Sequence, residues 1–127
     1  MAKYLIKAKE ITEVVIKDFS QVEQPYFYFT ADSQKDVVVR KIELYDSATA
    51  SPNSVMLHNL LYLSTVCEDD NYYERALNML QGVKEIVKKY PNSFAVWAEA
   101  LAKLSFPVHE IVLAGKQNSD MLNTILS

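Results

Sequence analysis

Apolar residues recur every three or four positions in four stretches of the chain, which is the spacing of one face of an α-helix. In the first stretch these positions are Tyr4, Ala8, Ile11, Val15 and Phe19. In the third stretch they are Tyr73, Ala76, Leu80, Val83, Val87 and Tyr90. The fourth stretch begins with Phe94, Trp97, Leu101 and Leu104. The pattern therefore predicts a chain that is mainly helical.

The second helix is predicted to begin at Ser51, because serine is a favourable N-cap and Pro52 tolerates the first helical position. Its apolar residues surround the helix axis: Val55, Met56, Leu57, Leu60, Leu61, Leu63 and Val66. A helix that is apolar on most sides is expected to be buried between neighbours. Residues 69–71 (Asp-Asp-Asn) are predicted to end this helix and to cap the third.

Two β-prone runs precede the second helix and predict a β-hairpin at about residues 26–41. Residues 26–29 read Tyr-Phe-Tyr-Phe, residues 37–39 are all valine, and the segment between them is polar. This order is typical of two strands joined by a turn. Residues 109–115 resemble a short buried strand that ends in glycine, so residues 107–127 are predicted to be a short C-terminal β/α piece. The predicted fold is thus antiparallel helical hairpins with these two additions.

Composition narrows the class of protein. The chain has 127 residues, 50% of them hydrophobic and 23% charged, which predicts one globular domain. Two glycines argue against a glycine-rich phosphate-binding fold, and a net charge of −3 argues against a nucleic-acid partner. No apolar run is long enough to cross a membrane. Cys67 is the single cysteine, which excludes an intramolecular disulfide and favours a cytoplasmic location.

The segment between the predicted hairpin and the second helix carries most of the candidate chemistry. Its candidate ligand-binding residues are Arg40, Lys41, Glu43, Tyr45, Asp46, Ser51, Asn53 and Ser54. The free backbone N–H groups at the start of a helix suit a small hydroxylated or anionic ligand. In the alternative, structural interpretation, Asp46 and Asn53 satisfy backbone groups of the loop, and Arg40 pairs with Glu43.

No catalytic residue is assigned, and the sequence predicts neither a metal site nor a cofactor. His58, Cys67 and His109 lack the spacing of metal ligands. Each is interpreted as a structural residue.

Five segments in order resemble the C-terminal part of the spermatogenesis-associated, thioredoxin-domain-containing proteins and their bacterial relatives. They are residues 28–32 (Tyr-Phe-Thr-Ala-Asp), 39–48, 51–55 (Ser-Pro-Asn-Ser-Val), 73–76 (Tyr-Glu-Arg-Ala) and 110–115. The resemblance implies an α/α toroid similar to six-hairpin glycosidases. Residues 1–106 would form an incomplete toroid segment, and residues 107–127 the start of its C-terminal tail. It also implies carbohydrate-type binding, no catalysis by this portion alone, and the remainder of a full-length chain as partner.

A helical protein-interaction or scaffolding module, built like a solenoid, is the alternative function. No second copy of any segment recurs at a period near that of helical repeats, which argues against a true repeat array. Apolar residues also lie outside the main stripe of the first helix: Leu5, Ile6, Val14 and Ile16. They predict a homodimer, and the uncapped start of the pattern at Tyr4 predicts a piece of a longer protein.

Overall fold

The structure, a computed structural model, describes residues 2–36 and 38–106. Its helices are α1 (Ala2–Phe19), α2 (Pro52–Cys67), α3 (Asp70–Lys89) and α4 (Ala95–Ser105), with one 3-10 turn at Pro91–Ser93. Strands β1 (Ser20–Gln21) and β2 (Gln24–Phe27) form a two-stranded antiparallel sheet. The prediction of a mainly helical fold is confirmed for these residues. The predicted C-terminal β/α piece lies outside them.

The hydrophobic core lies where α2, α3 and α4 pack against one another and against β2. Its buried residues are Phe27, Leu57, Leu60, Leu63, Tyr72, Ala76, Met79, Leu80, Val83, Val87, Phe94, Trp97 and Ala100. Trp97 is the largest fully buried side chain, and the Tyr26 ring meets it edge to face with centroids 6.3 Å apart. Aromatic burial of this kind contributes much of the stability of a small core.

The ends of α2 and α3 follow the local rules read from the sequence. The Ser51 hydroxyl caps α2 by accepting a hydrogen bond from the Ser54 amide, and Asp69 caps α3 by accepting one from the Asn71 amide. Glu68, between the two helices, has a positive φ of 50° and donates its amide to the Ser64 carbonyl. A connection of two residues makes the two helices antiparallel neighbours. The predicted caps are confirmed.

The buried face of α1 differs from the predicted stripe. Tyr4 and Ile11 are exposed, whereas Thr12 is buried and the chain packs Leu5, Val15, Ile16 and Phe19 against the core. Strand β1 begins directly after Phe19, so its pairing with β2 fixes the rotation of the helix. Because α1 is apolar on more than one side, periodicity identified the packed residues Val15 and Phe19 but was wrong for Tyr4 and Ile11.

The predicted faces of α2 and α3 also need correction. Helix α2 is not enclosed on all sides, since Val55, Tyr62 and Val66 are exposed on one face. In α3 the buried tyrosine is Tyr72, and Tyr73 and Tyr90 are both exposed. The Tyr72 hydroxyl donates to the Glu13 carboxylate of α1, which orients that side of α3 toward α1.

The β-hairpin is displaced from the predicted position at residues 26–41. Strand β2 pairs with β1, which precedes it, and Val38 is 98% exposed. On the other side of β2, the side chain of Asn53 bonds both the N–H and the C=O of Phe27. Further along, Tyr28 bridges Ile42 and the Phe29 amide donates to the Lys41 carbonyl. Residues 41 and 42, and not Val38 or Val39, therefore pair with the residues that follow β2, and β-propensity without a partner does not make a strand.

A glycine inside α3 makes room for a core tyrosine. A Cβ atom added to Gly82 would lie 2.1 Å from the Tyr26 hydroxyl oxygen, and that hydroxyl donates to the Met79 carbonyl at 3.0 Å. Glycine normally weakens a helix interior by about 1 kcal/mol relative to alanine. Close approach of Tyr26 accounts for its presence here.

We predict that Gly82→Ala and Tyr26→Phe are energetically coupled. In the unmodified chain the added methyl group displaces Tyr26, so the helical gain is lost. In the Tyr26→Phe background the oxygen is absent and the nearest ring carbon lies at 3.2 Å, so Gly82→Ala becomes much less destabilising. A double-mutant cycle by urea unfolding should give a coupling energy of about 1–2 kcal/mol. Additive effects would contradict this account of Gly82.

Candidate functional site

The Asp46 carboxylate joins the loop to the first turns of two helices. Asp46 is buried, and its Oδ1 accepts hydrogen bonds from the Ser51 amide at 2.8 Å and the Ser54 hydroxyl at 2.7 Å. Its Oδ2 accepts one from the Val96 amide of α4 at 3.0 Å. Backbone N–H groups at helix starts have no partner within the helix and favour negative charge. One carboxylate therefore serves the beginnings of both α2 and α4.

Asn53 uses its carboxamide to hold β2 against the loop. Its Oδ1 accepts from the Phe27 amide at 2.7 Å, and its Nδ2 donates to the carbonyls of Phe27 and Glu43, both at 2.9 Å. The residue is 1% exposed. The Asn53 carboxamide thus makes the two hydrogen bonds to Phe27 that a neighbouring strand would make. Its donors and its acceptor are all in use, as expected for a buried amide.

Ser51 and Ser54 complete the buried polar group. The Ser51 hydroxyl accepts from the Ser54 amide at 3.1 Å, and the two hydroxyl oxygens lie 3.0 Å apart. We call Asp46, Ser51, Asn53 and Ser54 the junction cluster. The structure brings these four predicted site residues together. The side chains of Asp46, Ser51 and Ser54 are linked to one another by hydrogen bonds, and that of Asn53 bonds the backbone of Phe27 and Glu43. This agrees with the structural alternative for Asp46 and Asn53.

The other four predicted residues lie around the junction cluster without joining it. Arg40 does not pair with Glu43: its guanidinium bonds the Thr30 carbonyl at 2.8 Å and the Asp32 carboxylate at 3.0 Å. Glu43 pairs instead with Lys41, at 2.5 Å. The earlier pairing was wrong because the chain turns back after Thr30 and brings Asp32 to the guanidinium.

Tyr45 is half-exposed and meets Phe94 edge to face, with ring centroids 5.8 Å apart. Of the predicted site residues, it and Lys41 present the most side chain to solvent.

Trp97 was not assigned to this region from the sequence, yet its indole N–H donates to the Leu44 carbonyl at 2.8 Å. The spacing of aromatic residues along a helix does not reveal that the Trp97 indole bonds the loop backbone.

A second polar region, which the sequence did not indicate, is a groove of about 1030 Å³ between α1, the turn from β1 to β2, and α3. We call it the α1–α3 groove. Its lining includes Glu13, Gln24, Tyr72, Glu74 and Arg75. Burial, followed by the bond to Glu13, raises the pKa of the Tyr72 phenol, and burial lowers the pKa of Arg75. Three separate elements build this groove, so no local motif marks it.

Within residues 2–36 and 38–106, no group of three His, Cys, Asp or Glu side chains could hold a metal ion. His58 Nε2 donates a hydrogen bond to the Val96 carbonyl at 3.0 Å, and Cys67 is a partly buried free thiol. Residue His109 lies outside the described residues. None of the described helices combines the length and the apolar character needed to span a bilayer.

Comparison with known proteins gives one distant relationship. The chain is 28% identical over 121 residues to a protein of Caenorhabditis elegans, the uncharacterized protein B0495.5. The match covers 95% of this chain and 16% of the worm protein, so the chain spans a small part of that relative's length. No protein-family model matches the chain, and no solved structure shows significant similarity to it.

The junction cluster makes a stability prediction. Asp46→Ala leaves the Ser51 and Val96 amides and the Ser54 hydroxyl without their acceptor, and should lower the free energy of unfolding by about 3 kcal/mol. Ser47→Ala, at the next and exposed position of the same loop, should change it by less than about 0.5 kcal/mol. Chemical denaturation of both variants is the measurement. Equal, small effects would show that the carboxylate does not hold the junction.

Proposed function

We propose that this chain is a helical docking module, a portion of an α/α toroid that packs against other helices of a longer protein. The observation that carries the proposal is an outward apolar face on α1. Tyr4, Ile11 and Val14 lie on one side of the helix, with Lys7 between the first two, and each of the three is more than half exposed. Contiguous apolar surface on a soluble domain usually marks a contact.

A second outward face, on α2, supports the same proposal. Val55, Tyr62 and Val66 are spaced seven and four residues apart, so they share one side of the helix. Tyr62 is 65% exposed. The opposite side of α2 forms the core through Leu57, Leu60 and Leu63. A helix with a buried face and a second apolar face is suited to a position between two neighbours.

The proposed partner is the remainder of a longer chain of the thioredoxin-domain-containing, six-hairpin glycosidase-like type. Two observations support it: the five resembling segments, and the small share of the worm relative that the match covers. In such a setting the junction cluster has a mechanical role, because it fixes the starts of α2 and α4 relative to each other. We assign no catalytic step to the chain, and its single cysteine, a free thiol, supports a cytoplasmic setting.

Carbohydrate-type binding at residues 40–54 is the second candidate function, and the half-exposed Tyr45 ring favours it. A tyrosine that is 50% exposed keeps ring surface available for a sugar. Lys41 and Glu43 lie close by in sequence and supply polar groups. Saturable shifts of amides 40–54 on titration with mono- and disaccharides would support this candidate, and their absence would remove it.

The docking proposal predicts self-association of the isolated chain. With its partners missing, a second copy should cover the α1 face, giving a dimer of the 14.5 kDa chain at micromolar concentration in analytical ultracentrifugation. Ile11→Lys should shift the equilibrium to monomer with unchanged helix content, because it places a charge in the apolar face.

Lys17→Glu is the matched control, since Lys17 is an exposed position of α1 outside that face, and it should leave the dimer intact. A monomer that binds no apolar dye, in the unmodified protein, would contradict the docking proposal.

A further inference from the structure

The α1–α3 groove contains a partly buried cation, Arg75, that has no counter-ion among the described residues. The Arg75 guanidinium lies over the Phe27 ring, 4.4 Å from its centroid, and its Nε donates to the Pro25 carbonyl at 3.1 Å. Its Nη2 is shielded from solvent and has no hydrogen-bond partner among the described residues. Within that part of the chain no carboxylate forms an ion pair with it. Shielded charges in proteins are normally paired.

A second unpartnered donor lines the same groove. The Nε2 atom of Gln24 is also shielded, and it too has no partner in the described residues. Gln24 directly precedes Pro25, whose carbonyl holds the Arg75 guanidinium. The guanidinium, the one cation among the described residues that line this groove, favours a ligand with a carboxylate, because such charge-assisted bonds are the strongest available to arginine.

The rest of the groove has the opposite charge. Glu13, Glu23, Asp69 and Glu74 line it, against the single cation Arg75. Glu13 is engaged by Tyr72 and Asp69 by Lys9, whereas Glu23 and Glu74 make no side-chain bond in the described part of the chain. A simple anion would be repelled by this lining. A ligand that carries a carboxylate at one end and positive charge elsewhere fits both parts.

We infer that the α1–α3 groove binds a basic amino acid. The ligand's carboxylate accepts from Arg75 and Gln24, and its ammonium groups face Glu23 and Glu74. A groove of about 1030 Å³ accommodates a molecule of this size with room for water. Neither the helix docking nor the sugar binding proposed above is needed for this site.

The test is a titration of the full chain with three probes of matched size, followed by amide and arginine Nε–H NMR. The first probe is L-lysine, the second is L-lysinamide, which lacks the carboxylate, and the third is L-norleucine, which lacks the side-chain ammonium. Lysine at millimolar concentration should give saturable shifts at residues 22–24 and 71–78 and at the Arg75 Nε–H. Lysinamide should bind about tenfold more weakly, and norleucine should also bind more weakly.

Glu74→Gln provides a variant that leaves the core untouched, since Glu74 is exposed. It should weaken lysine binding and leave norleucine binding unchanged. Glu85→Gln is the matched control on the same helix, because Glu85 is exposed, pairs with Lys88 and does not line the groove. It should leave lysine binding unchanged.

Three results would overturn the inference. The first is equal affinity for lysine and lysinamide, which would exclude recognition of the carboxylate. The second is the absence of saturable shifts in the groove with lysine. The third is lysine-dependent shifts confined to residues 40–54, which would place the binding in the loop.

Discussion

The buried carboxylate of Asp46 is the interaction on which the arrangement of the described chain depends. It accepts from the Ser51 and Val96 amides, so it connects the first turn of α2 to the first turn of α4. The Asp46 amide also donates to the Ser93 carbonyl at 3.0 Å, which ties the loop to the 3-10 turn before α4. A charge in this position is favourable because helix starts present unpaired N–H groups. Without this carboxylate, the starts of α2 and α4 and the loop that contains Asp46 would lose the hydrogen bonds that join them.

Near Asp46, side chains and not a β-sheet supply hydrogen-bond partners to the backbone between β2 and α2. The described residues between β2 and α2 form no regular strand, and their backbone groups still need partners. Asn53 supplies them to Phe27 and Glu43, Trp97 to Leu44, and Arg40 to Thr30. Each of these side chains comes from a different part of the fold. The loop is therefore ordered by tertiary contacts.

This distinction explains how much the sequence could predict. Helix positions and the caps at Ser51 and Asp69 depend on neighbouring residues, and local rules identified them correctly. The valines at positions 38 and 39 have strand propensity, but Asn53 bonds Phe27 and residues 41–42 bond Tyr28 and Phe29, which no local pattern reveals. The packed side of α1 was predicted only in part, for Val15 and Phe19, because that helix is apolar on more than one side.

For the predicted site residues, too, the local sequence predicted one part and contacts between distant residues decided the other. Asp46, Ser51, Asn53 and Ser54 were selected as candidate ligand contacts, yet residue types alone cannot distinguish a ligand contact from a backbone contact. The distances do so for the polar atoms, each of which has a partner inside the protein. The α1–α3 groove was missed altogether, since Arg75 and Pro25 are fifty residues apart in sequence and meet through the fold.

Native-state hydrogen exchange of the Ser51 and Val96 amides tests the central role of Asp46 most directly. Both amides donate to its carboxylate, so they should exchange only when the whole domain opens, with the same free energy as the amide of the core residue Leu60. Rapid exchange of Ser51 and Val96 while Leu60 stays protected would contradict the account. It would show that the junction opens without the core and does not hold the helices together.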